Sequence, residues 1–222
     1  MSTSYLAKHV EELKPSGIRK FFDLASKMEN VISLGVGEPD FVTPWNVIEA
    51  SYHAMEQGYT AYTANAGLLV LREEISDYLS NSFSLRYNPE NQILVTVGAS
   101  QAIDLALRAI IDQGDEVIVV EPCFVSYSPA VSLAGGVPVT VSATPENEFK
   151  VMPEQVEAAI TSKTKAIVLC SPNNPTGTVL SEKELAAIAE VVKKHDLIVL
   201  SDEIYAELSY GEMATSIAAV NG

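Results

Sequence analysis

From residue 93 onward the chain repeats one pattern, a short and almost wholly apolar run followed by a longer amphipathic one. The apolar runs fall at 93–97, 117–120, 137–141, 166–170 and 197–201, and helical periodicity fills 100–111, 125–133, 153–160 and 182–195. Strands that are apolar on both sides, with helices between them, demand a parallel sheet covered on both faces. The pattern therefore predicts an α/β fold, a three-layer α/β/α sandwich around a mostly parallel sheet. Ser181-x-x-Glu184 is a capping box that fixes the start of the last helix. There is no internal repeat and no linker.

The chain before residue 93 is less regular. A helix is expected over 18–28, then an extended run, 31–41, that ends in a Gly- and Pro-rich turn. Gly35-x-Gly37 is not a dinucleotide fingerprint, because the third glycine position is Asp40 and Pro39 blocks a clean helix start. Thr43-Pro44 reads as N-cap and first helical residue of a helix to about residue 58. A tyrosine-bearing loop, 58–67, leads to a helix over 68–81 with Leu71, Ile75 and Leu79 on one face. We expect an N-terminal arm and small-domain segment over 1–43, and one large domain over 44–222.

Composition narrows the function. Fourteen basic against 29 acidic residues give a net charge of −15, which argues against nucleic acid and anionic membrane as partners. No apolar run approaches the roughly 18 residues of a membrane span, and the N-terminus lacks the basic-then-apolar signature of a signal peptide. Cys123 and Cys170 form no C-x-x-C pair, and His9, His53 and His195 show no ligand spacing. We therefore expect a reduced, cytoplasmic protein without a metal site. Cys170 reads as a small buried hydrophobe, and Cys123, after a Pro at a strand end, as a neighbour of the site.

In an open parallel sheet, ligands bind beyond the C-terminal ends of the strands, and Asp202 stands at such an end. It can cap the following turn. It can serve as the acid of a nucleotide-hydrolysing site, but the required G-x-x-x-x-G-K-[ST] loop is absent from the sequence. It can also hold a protonated ring nitrogen of a cofactor. Other strand ends carry matching groups. Gly98-Ala-Ser100 opens a helix, where free N–H groups and the helix dipole favour an anion. Phe124 is placed to cover a flat ring. Ser171-Pro-Asn-Asn-Pro-Thr-Gly177 fixes its backbone with two prolines and presents two side-chain amides.

Taken with Gly-Glu-Pro-Asp-Phe at 37–41, Tyr62 with Asn65-Ala-Gly67, Pro122-Cys-Phe124 and Ser201-Asp-Glu-Ile-Tyr205, these motifs resemble the class I, aspartate aminotransferase-like, pyridoxal-phosphate enzymes of fold type I. The resemblance covers almost the whole chain in order. It implies a seven-stranded sheet of order 3-2-4-5-6-7-1, of which only strands 1 to 5 are readable here, so two sheet edges lie open. It implies that Gly98, Ala99 and Ser100 hold the cofactor phosphate and that Phe124 stacks on the pyridine ring. Asn174 and Tyr205 would bond the ring oxygen, Asp202 would pair with the ring nitrogen, and Gly37, together with Asn174, would sit by the substrate carboxylate. Tyr62 would reach the phosphate of a neighbouring subunit, hence a homodimer with shared sites, and the Asn174–Pro175 bond is a candidate for cis.

The implied activity is transfer of an amino group between an amino acid and a 2-oxo acid, with pyridoxal 5′-phosphate as cofactor. The alternatives are a carbon–sulfur lyase of the same fold and a non-catalytic remnant that binds the cofactor. The family's Schiff-base lysine and carboxylate-gripping arginine are expected C-terminal to Gly222. Ser26-Lys27 and Ser162-Lys163 are the Ser-Lys pairs present, and neither stands at a strand's C-terminal end.

Overall fold

The computed structural model describes residues 5–13, 17, 21, 24, 27–32, 37, 41–211 and 214–220. Its contacts group into two units, one made of residues 1–13 and 66–222 and the other of residues 14–65. The expected helix over 18–28, and Glu38, Pro39 and Asp40 of the glycine turn, lie largely or wholly outside the described residues.

In the first unit a short helix α1 (Lys8–Glu11) precedes α3 (Leu69–Phe83), α4 (Ala99–Ile110), β1 (Glu116–Glu121), α5 (Tyr127–Leu133), β2 (Val137–Ser142), α6 (Pro153–Ala159), β3 (Thr164–Cys170), α7 (Glu182–Lys194) and β4 (Ile198–Asp202). The helix α2 (Trp45–Glu56) belongs to the second unit. The four strands form one sheet in the order β2-β1-β3-β4, every neighbouring pair parallel. This is the order 3-2-4-5 within the expected sheet.

Both faces are covered, and the strand period of two assigns each side chain to its face. Val117 and Val119 of β1, with Ala166 and Val168 of β3, pack against Ile103 and Leu107 of α4 and Tyr127 and Val131 of α5. Ile118 of β1 and Ile167 and Leu169 of β3 pack against Val156 of α6 and Leu185, Ile188 and Val192 of α7. The α7 contacts recur at the i, i+3, i+7 spacing of an amphipathic helix. Its N-terminus is closed as expected: Ser181 Oγ accepts from Glu184 N–H, and the Glu184 carboxylate accepts from Ser181 N–H at 2.7 Å.

Residues 93–97 are not a strand. Val95 N–H donates to the carbonyl of Ala66 at 3.0 Å, but no ladder forms, and Leu94 and Val97 are exposed. An extended run becomes a strand only when a neighbouring strand pairs with its backbone groups, and none of the four strands lies alongside. The helix expected to begin at Thr43-Pro44 begins at Trp45, because Pro44 is extended with ψ 141 and no side chain caps the end.

The expected apolar face of α3 is only partly realised. Leu71 is exposed, Ile75 and Leu79 are half-buried, and Arg72 and Phe83 are the buried positions. The Arg72 guanidinium donates to the carbonyls of Gly67, Pro89 and Glu90, and so ties α3 to two flanking turns.

Candidate active site

The C-terminal ends of the strands and the N-terminus of α4 surround a cleft of about 180 Å³, lined by Gly98, Ala99, Ser100, Phe124, Tyr127, Asn174, Asp202 and Tyr205 among others. Seven of these eight were expected from the sequence, and they arrive from four separate loops.

At one end, Gly98 caps α4 with φ 87, a conformation that a side chain would strain. The first N–H groups of the helix have no intrahelical acceptor and carry the positive end of its dipole. With the Ser100 hydroxyl beside them, they suit a phosphate. Gln101 closes the turn by accepting Val97 N–H on Oε1.

At the other end, β3 and β4 present their groups side by side. Cys170 is paired in register with Asp202, and Ser171 N–H donates to the Asp202 carbonyl at 3.2 Å. Asp202 Oδ1 accepts from Ile204 N–H at 3.2 Å, so the local turn-capping role is real. Its Oδ2 accepts from Tyr127 O–H at 2.7 Å. A carboxylate has about four acceptor positions, so capacity remains for a cationic N–H in the cleft. Asn174 Nδ2 donates to Tyr205 Oη at 3.1 Å, which leaves the phenol proton free to point at a ligand oxygen. Asn173 Nδ2 donates to the Pro122 carbonyl at 3.0 Å and ties the Asn-Asn-Pro loop to the Phe124 loop. The Asn174–Pro175 bond is cis, as are Ser171–Pro172 and Glu121–Pro122.

Tyr127 is the residue that sequence reasoning missed. It is buried, and its ring meets Phe124 edge-on at 5.7 Å and 78°. Burial first, then the Cys170 thiol and the Asp202 carboxylate, hold its phenol well above the usual tyrosine range, so at neutral pH it is a donor. Cys123 packs against the same cluster, and its thiol is pushed up to about 11 by burial and by the charge of Glu121. It is therefore a packing group near the site. Gly37 and Tyr62 belong to the unit 14–65, in which both are exposed.

The profile of the aminotransferase class I and II family matches residues 29–222. The chain belongs to this family. It is 66% identical over 220 residues to the Bacillus subtilis protein YugH, a match that covers 99% of this chain and 57% of YugH. It is 44% identical to the aromatic-amino-acid aminotransferase 2 of Thermococcus litoralis, over 98% of this chain and 56% of that protein. Among solved structures, a double mutant of the Thermus thermophilus aspartate aminotransferase superposes with a TM-score of 0.93 at 42% identity, covering 98% of this chain and 58% of that one. This family member therefore spans a little over half the length of the relatives it matches. The expected three-layer, largely parallel fold of the aminotransferases is the fold observed.

Proposed function

We propose that this chain supplies the cofactor-binding face of a pyridoxal-phosphate-dependent aminotransferase, which moves an amino group between an amino acid and a 2-oxo acid. The observation that carries the proposal is the convergence on one cleft of a helix N-terminus, a carboxylate with spare acceptor capacity and an amide–phenol pair. These groups fit the three polar features of pyridoxal phosphate, namely its phosphate, its protonated ring nitrogen and its ring oxygen. When bound, the cofactor supplies an electron sink for the carbanion left by the departing α-proton.

The chain's own part is binding and orientation. Gly98, Ala99 and Ser100 anchor the phosphate through backbone and hydroxyl donors. Asp202, held at two of its acceptor positions, accepts the ring N–H and favours its protonated state, each pKa unit being worth about 1.4 kcal/mol. Asn174 and Tyr205 donate to the ring oxygen, and Phe124 covers one ring face. We also propose that Gly37 serves the substrate carboxylate and that Tyr62 serves a second subunit of a homodimer. Residues 1–43 are taken as arm and small-domain segment, and the setting as cytoplasmic. Relatives named for aspartate and for aromatic amino acids make an acidic or aromatic amino acid the first substrates to try.

The test is a titration of the purified chain with pyridoxal phosphate, read by induced circular dichroism of the bound ring. Saturable binding that inorganic phosphate displaces is the expected result. A signal that never saturates would refute the assignment of the cleft.

A further inference from the structure

Within the Ser201-Asp-Glu-Ile-Tyr205 motif, cofactor binding uses Asp202 and Tyr205 and leaves Glu203 without a role. Along β4, Leu200 packs towards α4 and α5, and Val199 towards α6 and α7. Alternation puts Asp202 on the first side and Ser201 and Glu203 on the second. Accordingly Ser201 and Glu203 line a separate groove of about 410 Å³ together with Leu79, Leu85, Ile217 and Val220.

In that groove Glu203 Oε1 accepts two hydroxyl bonds, from Ser201 Oγ at 2.6 Å and from Ser216 Oγ at 2.7 Å. Ser216 is only 3% exposed, and its Oγ also accepts from Ala218 N–H at 3.2 Å, capping the 3₁₀ turn Ile217–Ala219. The Glu203 carbonyl accepts Ala206 N–H at 3.0 Å and starts the 3₁₀ turn Ala206–Leu208, whose N-cap is Tyr205. One residue thus brackets Asp202 from both sides, fastens the strand end to a buried turn and sets the backbone from which Tyr205 projects.

We propose that Glu203 is a positioning residue that aims Asp202 and Tyr205 into the cleft from the opposite face of the sheet; the proposal rests on the assignment of that cleft to the pyridoxal-phosphate ring. Two charge-assisted bonds from hydroxyls fix the orientation of the carboxylate. Loss of the carboxylate leaves the buried Ser216 hydroxyl without its acceptor and unfastens the motif from the Ile217–Ala219 turn, while the backbone bonds of Asp202 and Glu203 remain. Gln at this position retains an acceptor oxygen of the same reach.

The experiment uses 4′-deoxypyridoxine 5′-phosphate, which has the ring, ring oxygen and phosphate but no aldehyde, so that lysine chemistry does not enter. Its affinity is measured calorimetrically, and the titration of its ring nitrogen by ¹⁵N chemical shift, for the chain and its variants. Glu203→Ala is expected to weaken binding about tenfold, the scale of a lost hydrogen bond to a charged group, and to let the ring nitrogen lose its proton at lower pH. Glu203→Gln is expected to stay within about threefold of the parent, as its acceptor is kept. Ile188→Ala, a core cut in α7 outside the motif and its hydrogen bonds, controls for lost stability and should leave the ring titration unchanged. The double variant Ser201→Ala with Ser216→Ala removes both donors and leaves the carboxylate, and it should shift the ring titration in the same direction as Glu203→Ala. A parent-like ring titration in Glu203→Ala or in the double variant overturns the proposal. So does an equal change in Ile188→Ala. A parent chain that does not bind the analogue at all overturns the ring-site assignment itself, and the role of Glu203 with it.

Discussion

Tyr127→Phe removes one oxygen from the protein and isolates the bond on which the site's inner wall turns. The ring stays, so its packing under β1 and β3 and its edge-on contact with Phe124 are preserved. What is lost is the 2.7 Å bond from the phenol to Asp202 Oδ2. A hydrogen bond to a charged group contributes about 1.5–3 kcal/mol. Asp202 is half-buried, so water can partly replace the phenol, and the lower end of that range applies. In a chain of this size each kcal/mol moves the thermal midpoint by about 2–4 °C, which places the expected drop at roughly 3–6 °C. Urea unfolding followed by far-UV circular dichroism measures the same loss as a lower midpoint at unchanged slope. A Phe variant within about 0.5 kcal/mol of the parent, the ordinary scatter of a neutral substitution, would refute the argument that this bond is an energetic part of the fold.

Ile188→Ala empties a fully buried position where α7 meets β1 and β3 and should cost about 2–5 kcal/mol by the same unfolding assay. Glu157 bonds Lys194 at 2.7 Å and His195 at 2.9 Å, tying α6 to the end of α7. The Lys194 bond, then the His195 bond, hold its carboxyl below the ordinary 4.5, so its contribution is present above that pH and is lost as pH falls through the depressed value. Glu157→Gln should therefore flatten the acid limb of a midpoint-versus-pH curve below pH 4.5.

Much of this architecture was legible because strand interiors announce themselves. Val117–Val119 and Ala166–Leu169 are apolar on consecutive residues, which only a doubly covered sheet tolerates. The run at 93–97 has the same composition and failed as a strand, since a ladder depends on a neighbour that local sequence does not describe. Asp202, Asn174 and Gly98 were legible because strand ends and helix starts concentrate ligand groups, and because all three fall at one edge of one sheet. Tyr127 was not. It opens a helix between Ser126 and Ser128, and its partner Asp202 is 75 residues away, reached only when β3 and β4 stack beside β1. Glu203 escaped for the same reason: its two serines lie on either side of it in sequence, and only the fold brings Ser216 back to β4. Arg72 stands in a charged run with Glu73 and Glu74, yet three backbone carbonyls enclose it.

The proposed function depends on Asp202 holding a protonated pyridine nitrogen in the cleft at the strand ends. The most direct test is the pH titration of the ring nitrogen of ¹⁵N-labelled 4′-deoxypyridoxine 5′-phosphate bound to the parent chain and to Asp202→Asn. With Asp202 present, the ring should keep its proton at least about one pH unit higher than in the Asn variant, a difference of about 1.4 kcal/mol. The same titration point in both proteins would show that the carboxylate does not face the ring, and would contradict the account.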